Sequence, residues 1–305
     1  MKQILKNISP FNNRTDMSIP LFSVKKVLAF WVCYFAGLGV SEAVILLLHF
    51  PLGKNFLIGE QLDPKTVAIL FNYGFIMLCV SSMLYWKYIE KKPLSEMGLS
   101  GSFRSYGLGA LLAVVLLFLC VAGTMLTGSI TFNGIFSSID VLAIVLLALG
   151  FVIQGAAEEF LCRGLVFHAM KAKTSIPIAI AVSTLVFIWP HWGSLSEAEP
   201  VFIVLGLLNL TLVSVIFCLL TLRFNSIWAA CGLHSFWNAI LSCVLGLNLS
   251  GNEENVAAVF NLQTVGETVW NGGAYGIEAS LITVLVLGVA AGLFWVSQKK
   301  APVTT

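Results

Sequence analysis

Residues 139–165 read IDVLAIVLLALGFVIQGAAEEFLCRGL. The first half is an almost uninterrupted apolar run, and about 20 such residues are enough to cross the hydrocarbon core of a bilayer as a helix. The second half places Glu158, Glu159 and Arg163 close together. Ionisable side chains are costly inside a membrane and commonly mark a functional site. The stretch therefore predicts a membrane-spanning helix that carries a charged island.

The composition of the whole chain agrees with a lipid environment. Of the 305 residues, 58% are hydrophobic and only 10% are charged, whereas a soluble domain carries about 25% charged residues. This composition excludes a disordered chain, a nucleic-acid-binding surface and a small secreted disulfide fold. The seven cysteines lie inside apolar runs without CxxC spacing, which favours small buried side chains over a disulfide or metal framework.

Apolar runs of spanning length recur along the chain, and we expect an all-α, polytopic membrane protein of about eight transmembrane helices. The predicted domains are a polar cytosolic N-terminal tail (1–26), a membrane-embedded domain (27–297) whose motif-bearing core is 139–248, and a short cytosolic tail (298–305). The predicted spans are 27–50, 66–86, 105–127, 139–165, 176–192, 200–222, 225–248 and 279–297.

The basic residues predict the orientation of these spans. With the N-terminus in the cytosol, every Lys and Arg except Lys54, Lys65 and Arg163 falls in the tails or in the loops on that side. Loops rich in Lys and Arg face the cytosol, so both termini are predicted to be cytosolic. The loops on the other side carry acidic residues instead, namely Glu197, Glu199, Glu253, Glu254 and Glu267.

The charged island divides into two helix faces. Glu159 and Arg163 are four residues apart and share a face, whereas Glu158 points about 100° away. We therefore expect Arg163 to neutralise Glu159 and to leave Glu158 unpaired. Low dielectric surroundings favour the protonated form of an unpaired carboxyl group, and a general base must exchange protons near neutral pH.

Two further polar islands follow in later spans. His191 ends the run Phe187-Ile188-Trp189-Pro190-His191, and His234 and Asn238 lie four residues apart in 225–248. The second spacing places two hydrogen-bond donors on one helix face, and such a pair can stabilise an oxyanion. A carboxylate, a separate imidazole and a donor pair are together the minimum set of groups for adding activated water to an amide carbonyl.

The order Glu158-Glu159-x-x-x-Arg163, Phe187-x-x-x-His191, His234-x-x-x-Asn238 resembles the three motifs of the CAAX-processing and bacteriocin-processing (CPBP) intramembrane endopeptidases, the family of the Ras-converting CAAX prenyl proteases. This resemblance implies an eight-helix membrane protease whose active site is accessible from the cytosolic side. It implies that Glu158 and His191 activate water, that His234 and Asn238 form the oxyanion hole, and that Glu159 and Arg163 support the site.

The resemblance also bears on partners and location. The segment Lys92-Pro93-Leu94-Ser95-Glu96-Met97-Gly98-Leu99 looks like a cytosolic segment of the bacterial members, which implies a bacterial plasma membrane. The implied substrate is a membrane-associated protein or a peptide, prenylated or not, and no nucleic acid. No cofactor is expected.

Two other functions are compatible with the same residues. A zinc protease could use Glu158, His191 and His234 as ligands, since three protein ligands plus water form a catalytic zinc site. A membrane scaffold or immunity protein could bind a peptide in the same pocket without cleaving it. A proton-coupled transporter fits less well, because it predicts inverted repeats and helices broken by Gly or Pro in matched halves.

Overall fold

The computed structural model describes residues 7–101, 103–251 and 257–300, with side chains up to 298. Lys2, Lys6, Glu253 and Glu254 lie outside these residues, as does 301–305 of the predicted C-terminal tail. The chain is all-α apart from one small sheet. The helices are α1 (Ile19–Leu48), α2 (Pro64–Ile89), α3 (Phe103–Leu126), α4 (Val141–Lys171), α5 (Ile176–Leu195), α6 (Pro200–Phe224), α7 (Trp228–Ala239) and α8 (Leu281–Lys300).

Seven helices in the described part of the chain are long and apolar enough to cross a membrane, and α7 is the exception. The sequence predicted a span over 225–248, but α7 has only 12 residues and continues for five more as π-helix Ile240–Val244. The rest of the predicted span, at its two ends, forms turns instead of helix. Asn225 adopts the left-handed conformation (φ 45°), as does Gly246 (φ 68°). The all-α polytopic fold is confirmed: the described residues form eight helices, seven of them candidate membrane spans, and the helix within 225–248 is shorter than predicted.

The short helix α7 lies inside the bundle because its backbone approaches α3 very closely. A Cβ atom added to Gly232 would lie 2.1 Å from the carbonyl oxygen of Tyr106, and one added to Gly109 would lie 1.9 Å from that of Ala229. Small residues let helices pack backbone against backbone within a membrane. These two glycines thus fix α7, which carries His234 and Asn238, against the neighbouring span.

The bundle has two ends with different chemistry. We call the end formed by 90–101, 172–175 and 225–227 the basic end, and the end formed by 49–63, 127–140, 196–199, 245–251 and 257–280 the opposite end. At the opposite end Asp140 caps α4 by accepting from the backbone N–H of Ala143 (3.0 Å), and it accepts from Lys65 Nζ (2.5 Å). The Lys65 hydrogen bond lowers the pKa of Asp140.

The two strands also lie at the opposite end, and the sequence did not predict them. β1 (Ile130–Ile135) pairs antiparallel with β2 (Phe260–Thr264), with Phe132 opposite Leu262 and an irregularity before Ile135. The two strands are far apart in sequence, and their pairing joins the segment after α3 to the long segment before α8. The strand pair therefore holds these two connections together at the opposite end of the bundle.

Candidate active site

The charged island on α4 contains a buried ion pair. Arg163 Nη1 lies 2.9 Å from Glu159 Oε1, and both side chains are completely buried. This is the pair predicted from the four-residue spacing. Because both charges are removed from water, each depends on the other and on nearby dipoles for compensation.

Arg163 has further partners on two neighbouring helices. Its Nη2 donates to Ser214 Oγ (2.6 Å) and to the Ser214 carbonyl oxygen (3.2 Å) on α6. The guanidinium carbon also lies 4.6 Å from the ring centroid of Phe187 on α5 and 4.8 Å from that of Phe217 on α6. Both distances are within the range of a cation–π interaction. Arg163 therefore connects α4, α5 and α6 directly behind the two carboxylates.

His234 lies between the two glutamates. Its Nδ1 donates to Glu159 Oε1 at 3.1 Å, and its Nε2 is 3.9 Å from Glu158 Oε2. The ring stacks on Phe217, with centroids 5.2 Å apart and planes at 20°. A carboxylate paired with Arg163 can only accept, so Nδ1 carries the proton and Nε2 faces Glu158.

Glu158 is not paired with Arg163, as predicted, but it is not without a partner. Gln154 Nε2 donates to Glu158 Oε1 at 2.6 Å, and Asn238 Nδ2 donates to Gln154 Oε1 at 2.8 Å. The predicted donor pair is thus already engaged, since His234 bonds to Glu159 and Asn238 to Gln154. One amide hydrogen of Asn238 is left for another acceptor.

His191 approaches the site from α5. Its Nδ1 lies 2.9 Å from the Phe187 carbonyl oxygen, which can only accept. The hydrogen bond therefore fixes the proton on Nδ1 and leaves Nε2 as the basic nitrogen. Proline at position 190 removes one backbone donor just before His191, within the helix.

Local backbone features bring α4 and α7 together at this point. A Cβ atom on Gly155 would lie 2.7 Å from the backbone nitrogen of Ser235, so only glycine permits the observed approach. Directly after Glu159 the helix widens into π-helix Phe160–Phe167. Such insertions occur frequently at functional sites, and Arg163 lies within this one.

A cavity of about 270 Å³ joins these groups. Glu158, His191, His234 and Asn238 all line it, whereas Glu159 and Arg163 lie behind its wall. A second cavity of about 200 Å³ shares Gln154 and three apolar residues with the first and extends between α2 and α4. Both cavities are lined by apolar side chains together with several polar ones, a composition that ligand sites commonly have.

Sequence reasoning missed one further acidic residue of the cavity, Glu278. Its Oε1 accepts from Trp237 Nε1 (3.0 Å), and its Oε2 accepts from the backbone N–H (2.6 Å) and the Oγ (3.0 Å) of Ser250. Glu278 lies in the irregular segment before α8, where no periodic pattern exists. Gln154, by contrast, precedes Glu158 by four residues, so the spacing rule that found Arg163 could have found it.

The zinc alternative requires three ligands close together. In the described ranges, no three His, Cys, Asp or Glu side chains are grouped closely enough to hold a metal ion. Glu158, His191 and His234 line the same cavity, and elemental analysis of the purified protein tests the zinc alternative.

Comparison with known families agrees with the geometry. Residues 140–240 match the family model of the type II CAAX prenyl endopeptidases, described as Rce1-like. The match covers about one third of the 305 residues and contains all three motifs. It confirms the resemblance to the CAAX protease family and supports an integral membrane protease in general. No curated protein matches the chain.

Proposed function

We propose that the chain is a CPBP-type intramembrane endopeptidase that hydrolyses a peptide bond with water activated by Glu158 and His191. The observation that carries this proposal is the shared cavity: Glu158, His191, His234 and Asn238 come from three helices and line one space. Glu159 and Arg163 have a different place, completely buried behind it. This arrangement fits a site in which Glu159 and Arg163 position the other side chains, and the four residues that line the cavity contact the substrate.

In the proposed reaction a water molecule in the cavity gives a proton to Glu158, assisted by Nε2 of His191. The resulting hydroxide adds to the carbonyl carbon of the substrate amide. The remaining N–H of Asn238 and a protonated Nε2 of His234 stabilise the oxyanion. Glu158 then returns the proton to the leaving amine, so that one peptide bond and one water become an acid and an amine.

Glu159 has a positioning role in this mechanism. Its 3.1 Å hydrogen bond with His234 Nδ1 fixes the tautomer and the ring orientation. A neighbouring carboxylate also favours the protonated imidazole, which is the form that can donate to an oxyanion. Arg163 Nη1 donates to the same carboxylate oxygen at 2.9 Å and holds it in place beside His234.

The test is a comparison of membrane peptides by mass spectrometry. Membranes containing the full chain are compared with membranes containing Glu158→Gln, in which the side chain keeps its shape but cannot accept a proton. Loss of a general base typically lowers a rate by about 10²–10⁴-fold, so peptides that depend on the wild-type chain should disappear. The variant should still accumulate in the membrane.

The matched control is Glu199→Gln, an exposed residue at the start of α6 whose side chain makes no capping hydrogen bond. It makes the same chemical change outside the cavity, and its peptide pattern should equal that of the wild type. Equal patterns for Glu158→Gln and the wild type would refute the hydrolytic role. They would favour the scaffold or immunity function, in which the pocket only binds.

A further inference from the structure

The cavity has a second group of polar side chains, which the three motifs do not include. Asn209 on α6 and Glu278 in the connection before α8 both line the cavity, as do their neighbours Trp237 and Ser250. The proposed mechanism gives none of these four residues a role. We call Asn209 and Glu278 the acceptor patch, because the atoms that they leave for a ligand are oxygens that accept hydrogen bonds.

Asn209 carries a buried acceptor without a partner. Its Nδ2 donates to the carbonyl oxygens of Glu278 (2.6 Å) and Ser280 (3.2 Å), and a carbonyl oxygen can only accept. These contacts fix which way the amide points. The residue is 3% exposed, and its Oδ1 has no hydrogen-bond partner among the described residues. A buried acceptor left unsatisfied is costly, so the Oδ1 atom indicates a ligand that donates a hydrogen bond in the cavity.

Glu278 is held at the cavity wall by neutral donors. Its Oε1 accepts from Trp237 Nε1 (3.0 Å), and its Oε2 accepts from the backbone N–H (2.6 Å) and the Oγ (3.0 Å) of Ser250. The lining residues in the described part of the chain include two glutamates, Glu158 and Glu278, but no Lys or Arg. Acidic side chains within a membrane domain are normally paired with a partner of opposite charge. The cavity therefore lacks a cation that a ligand could supply.

The acceptor patch and the catalytic groups are linked through consecutive residues of α7. Trp237 donates to Glu278, and Asn238 donates to Gln154, which in turn donates to Glu158. All five side chains line the same cavity. A peptide whose scissile bond lies at Glu158 would therefore place another of its side chains at the acceptor patch.

We infer that the acceptor patch is a specificity subsite for a basic side chain, Lys or Arg, of the substrate peptide. The inference rests on the proposed function, since it concerns what the same cavity recognises. Ammonium and guanidinium groups only donate hydrogen bonds, whereas the Asn209 Oδ1 and the Glu278 carboxylate accept them. An apolar side chain would leave Oδ1 of Asn209 without a donor, and an acidic side chain would face Glu278.

The test is peptide binding to the purified full chain in detergent micelles, measured by isothermal titration calorimetry. Every arm carries Glu158→Gln, so that the probe is not cleaved and Glu278 is the remaining acidic residue among the described lining residues. The probes are short acetylated peptide amides of alanine and leucine with Lys at each position in turn. Each is paired with the same peptide carrying norleucine, which lacks the ammonium group, or Glu at that position.

At one position or more, the Lys peptide should bind about ten- to 100-fold more tightly than the norleucine peptide, as expected for a hydrogen bond to a charged group. The Glu peptide should bind most weakly. Adding Glu278→Gln should remove the preference for Lys. The matched control is Glu267→Gln, the same change at an exposed residue of the same connection that does not line the cavity, and it should keep the preference.

Two results would overturn the inference. The first is the absence of a Lys peptide that binds measurably and more tightly than its norleucine partner. This comparison uses a chain with Glu278 intact, so it is decisive even if Glu278→Gln disturbs the connection that Glu278 holds. The second is an unchanged preference for Lys in a Glu278→Gln protein that keeps its melting temperature.

Binding does not depend on turnover. The preference for Lys can therefore be absent while Glu158→Gln still abolishes cleavage in membranes, which would refute only the subsite. Unchanged membrane peptides in Glu158→Gln together with a preference for Lys would instead refute hydrolysis and leave a cavity that binds basic peptides.

Discussion

Arg163 is the residue whose loss tests the energetics of the site most directly. Arg163→Met keeps most of the length and apolar stem of the side chain but removes the charge, its ion pair with Glu159 and both hydrogen bonds to Ser214. It also removes the cation from the rings of Phe187 and Phe217. The buried Glu159 carboxylate is then left without its counter-ion.

The expected cost follows from the burial of both charges. Breaking a completely buried pair by removing one partner costs about 3–5 kcal/mol, mostly because the other charge stays buried and uncompensated. Every 1.4 kcal/mol is a factor of ten in an equilibrium constant. The unfolding equilibrium constant of Arg163→Met should therefore rise by about two to nearly four orders of magnitude.

The assay is reversible unfolding in mixed detergent micelles with increasing sodium dodecyl sulfate, followed by the fluorescence of the 8 tryptophans. Glu159→Gln and the double variant complete a double-mutant cycle, and the double variant should lose several kcal/mol less than the sum of the single losses. Arg223→Met is the control, because Arg223 is exposed and its Nη1 makes a 3.3 Å hydrogen bond with Ser297. Additive losses, or an Arg163→Met protein as stable as Arg223→Met, would refute the reasoning.

Three further predictions concern the hydrogen bonds, the packing and the metal content of the site. Gln154→Leu removes a hydrogen bond to the Glu158 carboxylate and one from Asn238. A hydrogen bond to a charged group is worth about 1.5–3 kcal/mol, so kcat should fall by roughly ten- to 100-fold at unchanged membrane accumulation; an unchanged kcat would contradict this. Gly232→Ala forces a Cβ within 2.1 Å of the Tyr106 carbonyl oxygen, and overpacking of about 1–3 kcal/mol should lower the melting temperature; a wild-type value would show that α3 and α7 can separate freely. The purified protein should contain less than one zinc per chain by elemental analysis and stay active in a strong chelator, whereas zinc and activity lost and restored together would favour the zinc protease.

The sequence predicted the fold well where a physical rule acts locally. Apolar runs placed α4, α5 and α6 to within a few residues because membrane burial requires a minimum length of uninterrupted helix. The ion pair of Glu159 and Arg163 followed from the four-residue spacing alone. Both predictions depend on one helix and on no tertiary contact.

The sequence failed where distant segments determine the result. The helix α7 ends early at a turn at Gly246. The predicted spans placed a turn at 222–225, where Asn225 adopts the left-handed conformation, but they did not predict the turn at Gly246. Glu278 reaches the cavity through an irregular connection, and its partner Trp237 is 41 residues earlier. The four-residue spacing predicted that His234 and Asn238 lie on the same face of their helix. It could not predict their hydrogen-bond partners, Glu159 and Gln154, because these lie on a different helix, α4.

The adjacency of two glutamates is explained by the different tasks of the two carboxylates. A polar group inside a bilayer is tolerated only when it is compensated, and the imidazole of His234 has a fixed partner in Glu159, which the buried Arg163 holds at 2.9 Å. The same carboxylate cannot also exchange protons with water, since it is sealed behind the cavity wall. Glu158, about 100° around the helix, lines the cavity and accepts from Gln154 rather than from Arg163. If the buried carboxylate were not next to Arg163, it would be a buried charge without a counter-ion. If the carboxylate that lines the cavity were paired with Arg163, it could not serve as the base.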